Sequence, residues 1–329
     1  MQELFNTNIN FITVEESSNE FIKIKSEISK KFEDLIEELE KNSNVILCLR
    51  GESKNYDKFL SFDMLKKFFI VGQKVNAHIR TPKEEKYKHI DKLDRKELLI
   101  EINEIIREVN VQSKNNPHKR KPLKGEISSE FVKNIADKDM AVLNKIKIFF
   151  LAYLHNSYKN KLFNSITPFL SMAKGSMRFE IAKYFALNKG GKNNGYIFLY
   201  SLCTKVNKNI PEQYIITEKF IKILKSLGIE NLDDRYSEIM LLNGMYPHYL
   251  LGIIKIEARN VSEFIMNPSL FNKLKNDEEF DFENGLPINQ KNFMELAKEL
   301  EYQTFFYTNG ENTFVSDLFT KYVSKNEKI

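Results

Sequence analysis

Val45-Ile46-Leu47-Cys48-Leu49-Arg50-Gly51-Glu52 is the stretch whose reading decides the fold. A short run of branched and aliphatic residues, held between the Asn42-Ser43-Asn44 turn and a glycine, suits a pleated surface better than a helix, so Val45 to Leu49 reads as a buried strand. Arg50 then stands at its carboxyl end, with Gly51 closing it. Immediately upstream, Phe21 to Lys41 carries Ile22, Ile24, Ile28, Phe32, Leu35, Ile36 and Leu39 mostly at helical spacing among Lys and Glu, which predicts an amphipathic helix.

Downstream, the pattern from Phe59 to Leu154 is mainly helical, strongest over Leu93 to Val109 and Ile135 to Tyr153. Between these lies Ser113 to Lys124, rich in Lys, Arg, Asn and Pro and expected as an exposed loop. The texture then turns toward strands. Ile166 to Leu170 reads as extended, Met177 to Leu187 as a helix, and Tyr196 to Cys203 as a strand after the mobile Gly190–Gly195 turn. Phe220 to Leu227 is a helix stopped by Gly228. Glu238 to Leu242 and Tyr249 to Glu257 are strands, and the chain beyond Ala258 returns to helix with an acidic Asn276 to Asn284 loop.

The 329 residues suffice for a real core, and 26 Phe and 14 Tyr with no Trp describe a globular chain. A net charge of +5 built from many charges of both signs permits a polyanionic partner without demanding one. Cys48 and Cys203 sit in apolar, strand-like runs and read as buried reduced thiols, consistent with a cytoplasmic location. No secretory signal stands at the start, and the longest apolar run, Ile146 to Leu154, is interrupted by Lys147 and falls well short of the roughly 20 residues a spanning helix needs. No membrane association is expected. His78, His89, His118, His155 and His248 show no ligand spacing, and neither a zinc site nor a P-loop pattern occurs, so no metal is expected.

Three segments carry a resemblance when taken in order. Cys48-Leu49-Arg50-Gly51, Phe169-Leu170-Ser171-Met172-Ala173 and Asp234-Arg235-Tyr236-Ser237-Glu238-Ile239-Met240-Leu241 resemble the arginine, serine and glutamate segments of the ADP-ribosyltransferases, enzymes that break the nicotinamide–ribose bond of NAD. The first two also resemble bacterial FRG-domain proteins, with Leu49 in place of the Phe. The resemblance spans Val45 to Glu257. It implies an α+β protein: a split, twisted β-sheet of the ADP-ribosyltransferase type with an N-terminal helix, a large helical insertion and a helical C-terminal tail. The corresponding boundaries are 1–44 for the helical extension, 45–257 for the core with its insertion at about 59–154, and 258–329 for the tail.

What the resemblance implies for the site follows the family's chemistry. Loss of nicotinamide builds positive charge on the ribose, as in glycoside hydrolysis, and Glu238 is the catalytic carboxylate that stabilises it. Arg50 forks onto the pyrophosphate, a planar contact that Lys reproduces poorly. Ser171 orients Glu238 and the ribose, and Tyr184 or Phe185 stacks near nicotinamide. Two departures shape the acceptor. Ser171 is followed by Met172 and Ala173 rather than Thr-Ser, and Tyr236 stands where many arginine-modifying members carry a second glutamate. Without that carboxylate a guanidinium lacks a base, so arginine falls as a target.

Tyr236 then faces the incoming acceptor, and Lys119, Arg120 and Lys121 in the basic loop offer contacts to a phosphate backbone. RNA or single-stranded DNA, whose bases are accessible, is the preferred acceptor over protein. The expectation is an NAD-dependent toxin or phage-defence effector with a neutralising antitoxin or inhibitor protein as partner. An NAD glycohydrolase using water and a catalytically silent FRG-like binding module are the alternatives. Taken singly, each residue also has a plainer reading: Arg50 in a surface ion pair, Ser171 as a turn or cap hydroxyl, Glu238 as a solvated strand residue, Tyr184 and Phe185 as core, and the basic loop as solvated surface.

Overall fold

The computed structural model describes residues 9–15, 20–42, 45–53, 60–71, 94–115, 126–140, 142–143, 146–147, 149–150, 169–171, 176–203, 214–229, 238–241 and 250–280. The protein is α+β. Strands β1 (Asn10–Glu15), β2 (Glu20–Lys23), β3 (Val45–Glu52), β4 (Phe169–Ser171), β5 (Gly195–Cys203), β6 (Tyr214–Ile216), β7 (Glu238–Leu241), β8 (Leu250–Glu257) and β9 (Asn260–Met266) join one mixed sheet in the order β2-β1-β9-β8-β5-β3-β4-β7-β6. Among the described residues every strand pairing is antiparallel except β1 with β9, which is parallel. The described helices are α1 (Ser26–Lys41), α2 (Phe62–Val71), α3 (Arg95–Asn115), α4 (Ser129–Ile135), α5 (Ser176–Ala186), α6 (Thr217–Ser226) and α7 (Pro268–Lys275).

Several expectations change. The strand at Val45 does not close at Gly51 but runs on to Glu52, paired throughout with β5. Among the described residues before 45, β1 and β2 precede the helix, which starts at Ser26 rather than Phe21. Asn260–Met266, expected as helix, is a strand hydrogen-bonded to both β8 and β1. The expected boundaries at 44 and 257 therefore cut across sheet ladders. Gly190–Gly195 is pinned rather than mobile. Arg259 donates from Nε to Asn193 Oδ1 and from Nη2 to the Gly190 carbonyl, both at 3.0 Å, and the Lys192 ammonium reaches the Ser53 carbonyl at 2.7 Å.

Alternation along the strands divides the sheet into two covered faces. On one, α1, α5 and α7 bury Ile28, Phe32, Leu35, Ile36, Leu39, Ala182, Ala186, Leu270 and Leu274 against Leu49, Ile197, Leu199, Ile254 and Phe264. Phe32 is wholly buried with its ring centroid 4.8 Å from Phe264 and 6.1 Å from Phe11; burying a side chain of that kind contributes roughly 1.5–3 kcal/mol. On the other face, Phe68 of α2 meets Phe198 edge-on at 5.0 Å. A separate helical core joins α3, α4 and Leu143, Ile146, Phe149 and Phe150 to α6, which lies against β6 and β7. Lys147, the charge that interrupts the long apolar run, is 1% exposed in that core and pairs with Glu101 at 2.5 Å.

The tightest contact is between α5 and the β3–β5 pair. A Cβ on Gly51 would overlap the Ala182 carbonyl and stand 2.6 Å from Ala186 N, and one on Gly195 would overlap the Ala186 carbonyl and stand 3.1 Å from its Cβ. Gly51→Ala should thus lower the unfolding free energy by about 1–3 kcal/mol through overpacking. Gly191→Ala, whose Cβ would meet only Asn188 O at 3.4 Å, should be close to neutral. Urea unfolding of the two variants side by side checks this; equal midpoints would refute the close approach of α5.

Candidate functional site

The arginine, serine and glutamate segments lie on neighbouring strands. β3 pairs with β4 and β4 with β7, and Ser171 is the Cα partner of Leu49 on one side and of Glu238 on the other. With about 4.8 Å between adjacent strands, the backbones of Leu49 and Glu238 stand about 10 Å apart, Ser171 between them and Arg50 one residue further along β3. The local reasons are modest. β3 is long and apolar enough to accept partners on both edges, whereas β4 and β7 are short strands whose ladder continues into β6 through Ile216 and Ile239.

Arg50 belongs to the other face from Leu49. There its Nε and Nη2 both approach Glu52 Oε1, at 2.8 and 2.7 Å, and the two side chains are only 15% and 10% exposed. The plain reading foresaw an ion pair but placed it at the surface. Glu52 was not singled out from the sequence. The available signal was its position two residues after Arg50, which in an unbroken strand puts both on one face; reading Gly51 as the strand's end concealed it.

Tyr196 is the strand partner of Glu52 and is fully buried, with Phe198 edge-on at 5.5 Å. Burial pushes its phenol well above the ordinary tyrosine pKa, the Glu52 carboxylate adds to the shift, and Arg50 partly offsets it. This face of β3 and β5 therefore brings together one guanidinium, one carboxylate and a neutral phenol. Such a pair can exchange one anion for another at Arg50, the carboxylate of Glu52 being the occupant in this structure.

Tyr184 and Phe185 are neither core nor near this pair. They project from α5 on the side away from Ala182 and Ala186, 51% and 47% exposed, with their rings edge-on at 5.8 Å. That corrects the reading of both as core, and the ring face they present is open. Tyr236 and the basic-loop residues Lys119, Arg120 and Lys121 lie outside the described residues, as do Met172 and Ala173. Cys48 is buried, with its Sγ 3.6 Å from the Ile46 carbonyl.

Among the described residues no His, Cys, Asp and Glu side chains gather in a group of three or more that could hold a metal ion, and no helix is long and apolar enough to cross a membrane. Compared with known proteins, the chain matches no protein-family model and no curated protein sequence.

The electrostatics around Tyr196 set a pH dependence. The fold holds Tyr196 neutral with a raised pKa, so its stabilising contribution is complete below the unfolded pKa of about 10 and is lost above it, at about 1.4 kcal/mol per pH unit. Tyr196→Phe should remove that increment: its urea midpoint should fall less between pH 9 and pH 11 than the parent's. Identical alkaline slopes would mean that Tyr196 ionises freely in the folded protein.

Proposed function

We propose that the chain is an NAD-dependent ADP-ribosyltransferase of the toxin or phage-defence type, with Glu238 as its catalytic carboxylate. The observation that carries the reading is the ladder from Leu49 through Ser171 to Glu238, which sets the three segments, distant in sequence, on neighbouring strands, with Arg50 one residue further along β3 on its other face. The fold class alone would not suffice, because one architecture serves many chemistries.

The chemistry follows from the roles. The C1′–N bond of the nicotinamide ribose breaks, nicotinamide leaves with the bonding pair, and a carboxylate at Glu238 stabilises the positive charge on the ribose. An acceptor nucleophile then bonds to C1′ and loses its proton. Arg50 engages the pyrophosphate once the phosphate oxygens replace the Glu52 carboxylate as its partner. Nucleic acid is the preferred acceptor on the strength of Tyr236 and the basic loop, with protein or water as the other nucleophiles. A neutralising protein partner fits an effector of this kind.

One observation favours a second reading. Arg50 is engaged by Glu52 and mostly shielded, which suits a catalytically silent FRG-like module whose arginine holds the fold together. Labelled NAD separates the readings. With the purified protein and total cellular RNA, single-stranded DNA or protein, label on a macromolecule supports transfer, free ADP-ribose alone supports an NAD glycohydrolase, and unchanged NAD supports the silent module.

Two variants test the roles. Glu238→Gln, close in shape, should lower turnover by two to three powers of ten, the roughly 3–4 kcal/mol scale of a well-placed electrostatic group, while leaving the circular dichroism spectrum unchanged. Arg50→Lys should chiefly weaken NAD binding by calorimetry, and NAD affinity equal to the parent's would remove Arg50 from the site. For the acceptor, changing Lys119, Arg120 and Lys121 together to Gln should reduce labelling of long RNA and flatten its salt dependence, with basal NAD hydrolysis retained. An unaltered salt slope assigns that loop to plain solvated surface.

A further inference from the structure

Helix α3 buries one face and leaves the opposite one open. Leu98, Ile102, Ile105, Ile106 and Val109 lie in the helical core. On the far side of the same helix Ile100, Glu104, Arg107 and Val111 are all exposed, and at 3.6 residues per turn they fall within about 60° of one another. Ile100 is 51% exposed and Val111 57%, the most open large apolar side chain among the described residues. Either alone would need no explanation. Their spacing around two opposite charges does.

From Ile100 to Val111 the intervals are four, three and four residues, the alternation that keeps a stripe of side chains facing a second helix. The order of the residues then fixes which helix that is. A second copy lying parallel in register would set Glu104 against Glu104 and Arg107 against Arg107, and like charges opposed in this way repel. Turned end for end, about a two-fold axis level with the midpoint between Glu104 and Arg107, each residue meets the one equally far beyond that midpoint. Ile100 then faces the partner's Val111, and Glu104 faces the partner's Arg107. A contact between identical surfaces requires a patch complementary to itself, and this stripe has that property in the antiparallel sense alone.

We propose that the open face of α3 is a self-association surface on which a second copy of this chain docks antiparallel, with Ile100–Val111 contacts at both ends and two Glu104–Arg107 ion pairs between them. A wholly apolar partner helix would strip water from Glu104 and Arg107 and return no partner for either, and a phosphate backbone would meet Glu104 as a like charge. The seam spans about 17 Å at 1.5 Å per residue. An interface of that length falls below the roughly 1,200 Å² of ordinary stable complexes, so the pair is reversible, with a dissociation constant on the order of 10–100 µM. Arg50, Ser171 and Glu238 lie on other elements, and the inference does not rest on the NAD reading.

The experiment is sedimentation equilibrium of the full chain from about 5 µM to about 1 mM, where a reversible monomer–dimer equilibrium should be seen. Arg107→Glu brings carboxylates together at both ion-pair positions and should weaken the dimer about tenfold or more, as should Glu104→Arg with its opposed guanidinium groups. Making both changes in one chain restores opposite charges only if the copies run antiparallel, and should return the dissociation constant to within about threefold of the parent's. The positions are exposed and Glu and Arg are both good helix formers, so circular dichroism should report an unchanged fold in all three variants. A chain that stays monomeric across the range overturns the proposal. So does a dimer indifferent to Arg107→Glu, or a double variant that associates no better than the single ones.

Discussion

Everything at the candidate site hangs on how closely α5 lies on β3 and β5. Two strands can carry a helix backbone at that distance only where both lack a side chain beneath it, and Gly51 and Gly195 supply the gaps against Ala182 and Ala186. The contact settles the rotation of α5 about its axis. With the alanines inward, Ile181, Tyr184 and Phe185 must face outward, where they are exposed. It also holds β3 straight through the glycine as far as Glu52, and a β3 of that length brings Arg50 and Glu52 onto one face as an ion pair.

The consequence is a site on both sides of one strand. Leu49 shares its cross-strand row with Ser171 and Glu238, whereas Arg50 belongs to the alternate face among aromatic residues. A guanidinium with two of its donors on one carboxylate oxygen in a mostly shielded place loses several kcal/mol if that carboxylate is removed and nothing takes its position. Replacing carboxylate by pyrophosphate avoids that penalty, because charge is exchanged for charge and the fork geometry suits both anions. Glu52 is therefore a competitor for any phosphate that Arg50 binds. Any anion taken up by Arg50 is thus linked to the stability of the β3 face through one carboxylate.

The sequence disclosed the elements whose pattern is local. Helices α1, α5 and α6 and strands β3, β5, β7 and β8 stand near their expected places because apolar spacing and flanking turn residues specify them without distant help. β2 and β9 were absorbed into helices. Phe21 and Ile22 share the apolar content of α1, and Val261, Phe264, Ile265 and Met266 read equally as helix or strand until β8 and β1 supply partners. β6 is too short to announce itself. For the site, the strands that carry Arg50 and Glu238 were legible in the sequence, but the Arg50–Glu52 pair was not, since recognising it required knowing that a glycine lay inside the strand.

The parallel pairing of β1 with β9 also decides what counts as one unit. A core drawn from 45 to 257 would leave β8 with an unpaired edge along Gly252, Ile253, Ile254, Lys255 and Ile256, whose present partner is β9, and would remove α1 and α7 from above Leu49, Leu199 and Ile254. Exposed apolar edges of that kind invite association with other chains, and the uncovered face would forfeit burial worth roughly 25 cal/mol per Å². The strands that carry the candidate site are interior to the same sheet, so their register depends on the flanking ladders. The described elements β1, β2, α1, β9 and α7 therefore belong to the scaffold that sets the positions of Arg50, Ser171 and Glu238.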